Sequence, residues 1–272
     1  MTIQADNLAW VCELVESRSG NVLDESKSYL VDARLAQLAK SQNVANVDEL
    51  IAKLRSSPNR TLEGNVVEAM LTHETFFFRD AHYFDEIGRK ILPSLLKKRE
   101  SCKRLNIWCA ASAGGQEPYS LAMVIHEEVG TLKDWTINLH ATDLSRSMIA
   151  HAKTGEYTEL EMQRGLSPQR QRRFLQPSGN RWKVVPAIQQ MVNFSTLNLC
   201  SDSPPYREFD LILMRNVLIY LNDQSKDRIL SRVAESLSDD GVLILGATET
   251  LYQHPGLFTR DDYRIPAYRL NR

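Results

Sequence analysis

Glycines, carboxylates and an arginine–asparagine pair stand in this chain directly after apolar runs, where side chains at strand ends reach a ligand. Gly114-Gly115-Gln116-Glu117 follows Leu105–Cys109, Asp143 follows Ile137–Thr142, and Arg215-Asn216-Val217-Leu218-Ile219-Tyr220 follows Phe209–Met214. A strand that opens through glycine onto a helix start lets the backbone approach a ligand and offers it unpaired N–H groups. The carboxylate of Asp143 can accept both hydroxyls of an adenosine ribose. Read alone, it is equally the N-cap of a helix beginning near Ser145.

A phosphate-binding loop needs G-x-G-x-x-G or a Lys-Ser/Thr pair, and neither is present. Glu117 would also repel a pyrophosphate. A nucleoside ligand without phosphate fits better, and S-adenosylmethionine, with a ribose, an ammonium and a sulfonium, is such a ligand. Ser203-Pro204-Pro205-Tyr206 looks like the signature of enzymes that methylate amino groups of bases or of glutamine. It precedes the strand Phe209–Met214, which puts it at the opposite edge of the sheet, so it is read as a rigid loop.

These positions imply the elements that carry them. The β-rich runs Leu105–Cys109, Ile137–Thr142, Phe209–Met214 and Val242–Leu245, with helices after the first three, predict an α/β fold with a doubly wound, mostly parallel, Rossmann-like sheet. Ligands of such sheets lie outside the carboxyl ends of the strands. Between Gly155 and Asn198 the rhythm breaks: a helix at Ser167–Leu175, turn residues Pro177–Asn180, then β-type runs Trp182–Val185 and Met191–Ser195. This predicts an inserted antiparallel β subdomain at about 156–196. Upstream, Leu8, Val11, Leu14 and Val15, then Leu30, Leu35 and Leu38, then Leu50 and Leu54, then Leu62, Val66 and Met70 fall at helical spacing. A small all-α N-terminal domain is expected over 1–72, a linker and connecting helix over 73–100, and the main domain over 101–272.

Of the 272 residues 43% are hydrophobic and 25% charged, ordinary for a globular protein. With 33 Lys and Arg against 34 Asp and Glu, there is no global basic field to hold nucleic acid or anionic lipid. No apolar run approaches the roughly 18 residues of a membrane span, and a cytoplasmic location is expected. Cys12, Cys102, Cys109 and Cys200 are scattered and the six His form no ligand cluster. Reduced thiols and no bound metal are expected.

Four segments, in order, resemble the chemotaxis-receptor protein-glutamate O-methyltransferases, the CheR family of bacteria. Thr72-His73-Glu74-Thr75-Phe76-Phe77-Phe78-Arg79-Asp80 looks like the family's TNETxFFRD linker motif, and Ile107–Met123 looks like its cofactor loop ending in EPYSxAM. Ala141-Thr142-Asp143-Leu144-Ser145, continuing to Tyr157, and Phe209–Ile212 with Arg215–Tyr220 look like its ATDIs and FDlIxxRNVLIYF strings. The resemblance implies a class I fold that uses S-adenosylmethionine and releases S-adenosylhomocysteine. It implies that Thr75, Arg79, Glu117, Asp143, Asn198, Leu199, Arg215 and Asn216 contact the cofactor or line its pocket beside Gly115, and that Arg79 and Tyr220 flank the transferred methyl. His73 stands where the family commonly has Asn, and imidazole too can donate or accept a hydrogen bond to the cofactor.

By the same resemblance the activity is that of a protein-glutamate O-methyltransferase. The partner is the cytoplasmic helical domain of chemoreceptors, read by the helical N-terminal domain, with neither nucleic acid nor membrane insertion involved. Family members that also grip a receptor C-terminal pentapeptide carry a longer, glycine-rich hairpin loop. Here Gln176-Pro177-Ser178-Gly179-Asn180 is short, and independence of such a tether is expected. A nucleic-acid methyltransferase and a silent cofactor-binding scaffold are the alternatives. Charge balance and the misplaced Ser203–Tyr206 speak against the first, and intact Arg79, Asp143 and Tyr220 against the second.

Overall fold

A computed structural model of the chain describes residues 3–24, 26, 28–128, 134–251 and 256–271. By its internal contacts the chain divides into two units, Met1–Thr72 with Ile219–Arg228, and His73–Leu218 with Ile229–Arg272.

The first unit contains α1 (Ala5–Ser19), α2 (Ser28–Ser41), α3 (Val47–Ser56) and α4 (Arg60–Met70). The apolar residues at helical spacing bury one stripe of each helix: Val11, Val15, Val31, Leu35, Leu50, Leu54, Leu62 and Val66 are all essentially inaccessible. Asn46 starts α3 by accepting the Glu49 N–H at 2.9 Å, and Asn59 starts α4 by accepting from Thr61 and Leu62 at 3.0 and 3.1 Å. Residues 219–228 join this unit through the Val22 N–H, which donates to the Tyr220 carbonyl at 2.8 Å, and the Asn222 N–H, which donates to Gly20 at 3.1 Å.

The second unit opens with the linker 73–80 and one continuous helix made of α5 (Ala81–Glu86), a π turn (Ile87–Ile91) and α6 (Leu92–Lys98). There follow β1 (Arg104–Ala110), α7 (Gln116–Glu128), β2 (Thr136–Asp143), α8 (Arg146–Thr154), β3 (Glu156–Tyr157), α9 (Glu159–Gln163), α10 (Pro168–Phe174), β4 (Leu175–Ser178), β5 (Arg181–Val184), α11 (Pro186–Gln189), β6 (Val192–Thr196) and β7 (Phe209–Met214). A 3-10 turn (Leu218–Tyr220), α12 (Asp223–Ser236), β8 (Leu237–Leu245), β9 (Phe258–Arg260) and β10 (Ala267–Leu270) complete the chain.

The main sheet has the order β6-β2-β1-β7-β8-β10-β9, parallel from β6 to β8, with β10 antiparallel to both its neighbours. Every residue of β7 and all of β1 after Arg104 are buried, which is why these strands read as unbroken apolar runs and not as alternation. The order reverses at β1, with β2 on one side and β7 on the other. A crevice outside the carboxyl ends of these strands is the expected ligand position.

The stretch 156–196 departs in two places from the sequence reading. β3, β5 and β4 do form a separate antiparallel sheet, but the run Met191–Ser195 supplies β6, which pairs in parallel with β2 at the edge of the main sheet. Pro177, expected in the turn, lies in β4 opposite Trp182, and the hairpin closes over Gly179 and Asn180. An edge strand tolerates this proline because no ladder bond is lost. Among the described residues no helix is long and apolar enough to cross a membrane, and no three His, Cys, Asp or Glu gather as a metal site.

Candidate active site

The loop between β1 and α7 is held from behind by β2. Ser112 N–H donates to the Thr142 carbonyl at 2.8 Å, and Ala113 N–H donates to Asp143 Oδ2 at 2.8 Å. The other oxygen of Asp143 accepts the Ser145 N–H at 2.8 Å, while Ser145 Oγ accepts from Met148 and caps α8. Asp143 is therefore not the helix cap. It is a buried carboxylate that ties the β1 loop to the turn after β2.

Gly115, at φ +90°, takes a conformation that side chains rarely adopt, and a Cβ there would lie 2.8 Å from the Ala152 Cβ. Tyr157, at the start of the insertion, donates its hydroxyl to the Gly114 carbonyl at 2.7 Å. Burial pushes the Tyr157 phenol well above its ordinary pKa, so it stays a donor. Among the described residues Ser112 Oγ and Gln116 Oε1 are buried without a hydrogen-bond partner in the protein. Orphaned polar atoms in a tightly packed glycine loop fit a ligand that supplies the missing partners.

The end of β7 delivers Arg215, whose side chain is 1% exposed. Its Nη1 donates to Glu117 Oε2 at 2.8 Å, and its Nη2 donates to Asp80 Oδ2 at 2.7 Å and to the Arg79 carbonyl at 3.0 Å. The guanidinium lies 4.2 Å from the Tyr83 ring centroid, and burial pushes that phenol up to about 12. Burial raises the proton affinity of Glu117, and the charge of Arg215 opposes that rise. Arg215 thus joins the first turn of α7 to the linker.

The linker is pinned along its length. Phe78 N–H donates to Ser120 Oγ at 2.9 Å, Arg170 stacks 3.9 Å from the Phe78 ring centroid, and Arg164 stacks 4.3 Å from that of Phe76. Arg79, half-buried, donates from Nη1 to the Glu74 carbonyl at 3.0 Å. His73 and Thr75 are half-buried at the start of this segment. Asn198 and Leu199 follow β6 beside Asp143, whose carbonyl accepts the Leu197 N–H at 2.9 Å. Asn198 Oδ1 accepts from Cys200, and the Leu199 carbonyl accepts from Arg232. Glu117, Arg215 and the backbone of Arg79 are thus in direct contact, and Gly115, Asp143, Asn198 and Leu199 cluster at the ends of β1, β2 and β6. Tyr220 is placed in the helical unit, at the end of its 3-10 turn, and is exposed.

Three residues of this region were not singled out from sequence. Asp80 closes the linker string and pairs with Arg215. Tyr157 ends the string that begins at Ala141. Glu249 lies beyond the end of β8, the last of the four parallel strands read from sequence. Applying the strand-end rule there would have found it.

Residues 73–265 match the family described as "CheR methyltransferase, SAM binding domain", and residues 6–71 match "CheR methyltransferase, all-alpha domain". The chain is 42% identical over 246 residues to chemotaxis protein methyltransferase 1 of Pseudomonas aeruginosa, covering 89% of each chain. It is 40% identical over 242 residues to chemotaxis protein methyltransferase Cher2 of Pseudomonas putida, 87% of each. Over 256 residues it is 38% identical to chemotaxis protein methyltransferase 1 of Vibrio cholerae, 92% of this chain and 91% of the relative.

Proposed function

The chain belongs to the CheR family of S-adenosylmethionine-dependent methyltransferases, and we propose that it methylates glutamate side chains on the cytoplasmic helical domain of chemoreceptors. The products are glutamate methyl esters and S-adenosylhomocysteine, and the setting is the bacterial cytoplasm. One observation carries the choice of a carboxylate acceptor. Arg79 stands on a pinned linker at the strand ends, and among the described residues its side chain donates only to a neutral carbonyl, so that, although its charge also reaches Glu117, its other N–H groups are left for an incoming anion.

The residues fit the cofactor. Asp143 takes the ribose hydroxyls, and Gly115, Ser112 and Gln116 form the close-approach loop. Glu117 and Arg215 supply the charged wall, and His73, Thr75, Asn198, Leu199 and Asn216 line the pocket. When bound, S-adenosylmethionine supplies a methyl group on a sulfonium. The acceptor needs no general base, because a glutamate with a pKa of about 4.3 is already an anion at neutral pH. Arg79 orients that anion in line with the methyl. Gripping it harder would lower its nucleophilicity, so the role of Arg79 is orientation more than neutralisation. Phe77 and Phe78 are buried in the core behind the linker, and an apolar backing favours a step in which opposite charges cancel. For Tyr220 the family string Arg215–Tyr220 implies a place beside the transferred methyl.

The test is incubation with methyl-labelled S-adenosylmethionine and chemoreceptor-bearing membranes, followed by base. Carboxyl methyl esters release labelled methanol. Label that stays non-volatile overturns the reading. The two-residue turn of the β4–β5 hairpin supports independence of a receptor tether. Receptors shortened by their C-terminal pentapeptide should be methylated at an unchanged rate, and measurable affinity for that pentapeptide contradicts this part.

A further inference from the structure

Glu249 is 5% exposed, and its carboxylate accepts four backbone N–H groups. Oε1 takes Val217 and Leu218 at 2.8 and 2.7 Å, and Oε2 takes Asn216 and Gly246 at 2.7 Å each. Three successive N–H groups of the turn after β7 form a concavity that suits an anion, and the chain fills it with its own carboxylate. The seat is tight: a Cβ on Gly246 would lie 2.7 Å from Glu249 Oε2 and 2.9 Å from the Asn216 nitrogen. Asn216 is held there at φ +59°, a conformation rare outside glycine and found more often in Asn.

We propose that Glu249 is a positioning residue for the cofactor site, holding the turn Arg215–Leu218 so that Arg215 meets Glu117 and Asp80 and Asn216 keeps its left-handed backbone. It touches neither cofactor nor acceptor. It acts by joining the carboxyl ends of β7 and β8, so the wall of the crevice at Arg215 is fixed before a ligand arrives. The four bonds divide two per oxygen, and this makes the residue testable. A glutamine in the same volume presents one oxygen and one NH2, and whichever way the amide turns, two N–H donors face a donor. The inference rests on the cofactor crevice and not on the identity of the methyl acceptor.

The experiment compares Glu249→Gln, Glu249→Asp and the unaltered full chain. Its readouts are S-adenosylhomocysteine affinity by calorimetry, amide exchange of residues 216–218, and circular dichroism to establish folding at the working temperature. In folded Glu249→Gln the dissociation constant should rise at least about tenfold, as expected when buried donors lose their acceptor, and exchange at 216–218 should accelerate. Glu249→Asp keeps both oxygens but withdraws them by one methylene, so it should fall between. A purely structural role lowers the melting temperature and leaves affinity in the folded protein within about twofold of the unaltered chain, which overturns the proposal. If the glutamine variant does not fold, the aspartate variant decides by the same criterion. Absence of S-adenosylhomocysteine binding by the unaltered chain is a different failure, that of the cofactor reading itself.

Discussion

Removing the Tyr157 hydroxyl tests how the cofactor loop is held. The Gly115 carbonyl accepts the first N–H of α7, from Tyr119 at 3.1 Å, and the Gly114 carbonyl lies one residue outside that ladder. Its partner is instead the Tyr157 hydroxyl, 2.7 Å away. Its ring is fully buried, edge-on to Phe77 at 4.9 Å, so Tyr157→Phe keeps the packing and deletes the bond. A buried carbonyl left without its donor costs about 1–3 kcal/mol. If that cost falls on the ligand-ready loop alone, S-adenosylhomocysteine affinity drops about 5- to 150-fold. If it falls on the whole fold, the melting temperature drops by about 2–12 °C at 2–4 °C per kcal/mol. Calorimetry and a thermal melt on the same preparation separate the two. We expect the affinity to carry most of the loss, and because the phenol stays protonated, the loss should not vary between pH 6 and 9. Affinity within twofold and an unshifted melt together would refute the role given to this hydroxyl.

Asp143→Asn keeps the volume but turns an NH2 toward the N–H of either Ala113 or Ser145, so affinity for S-adenosylhomocysteine and for adenosine alone should fall in parallel, by about tenfold or more. An unchanged adenosine affinity means that the ribose is held elsewhere. Arg79→Ala should lower turnover with receptor far more than cofactor affinity, by about a hundredfold if orientation of the acceptor is its work, and full activity removes it from that role. Away from the site, the hydrogen bond and charge of Arg99 pull the Asp240 carboxyl down to about 2 from its ordinary 3.8. The folded state then holds this proton less tightly than the unfolded one, so the stabilisation is complete above about pH 4 and is lost as pH falls toward 2. The melting-temperature gap between the unaltered chain and Asp240→Asn should therefore be constant from pH 7 to 5 and shrink to a small part of that by pH 2. A gap undiminished at pH 2 contradicts this. Asp210, raised by burial beside the same arginine and by the charge of Asp240, is coupled to this titration, so the gap reads the cluster Asp240–Arg99–Asp210.

What the sequence made legible divides along physical lines. The four strands read from apolar runs all appear, Phe209–Met214 with the same bounds, the first two longer by one residue at each end and the last longer by five at its start, because a parallel strand buried on both faces leaves an unbroken apolar signature. Glu117, Asp143 and Arg215 were found because strand ends are fixed once the strands are. Met191–Ser195 reads as β structure of the insertion but joins the main sheet, since five residues of β propensity carry no information about which sheet they will join. Arg215 shows the same boundary in chemistry. Its place after β7 was legible, whereas its commitment to Asp80, 135 positions away, depends on the fold. Tyr157 acts through a backbone carbonyl of another segment, which leaves no mark in side-chain patterning, whereas Glu249 is within reach of the strand-end rule and only its backbone partners are not legible.

The placement of Arg79 shows why the insertion and the β7 turn matter to a reaction neither performs. Phe78 and Asp80, on either side of it, both sit in the left-handed region at φ +51° and +58°, a cost of roughly 1 kcal/mol or more each for residues with a Cβ. Such a backbone persists only if its surroundings over-determine it. Ser120 of α7 takes the Phe78 N–H, Arg215 takes the Arg79 carbonyl and the Asp80 carboxylate, and the Gly165 position is so close to the linker that a Cβ there would overlap the Phe77 carbonyl oxygen. The linker is therefore clamped by α7, by the end of β7 and by the insertion at once. A side chain borne on that backbone has its origin fixed, so in the role proposed for it the guanidinium of Arg79 would orient an acceptor without first paying the entropy of ordering its own loop.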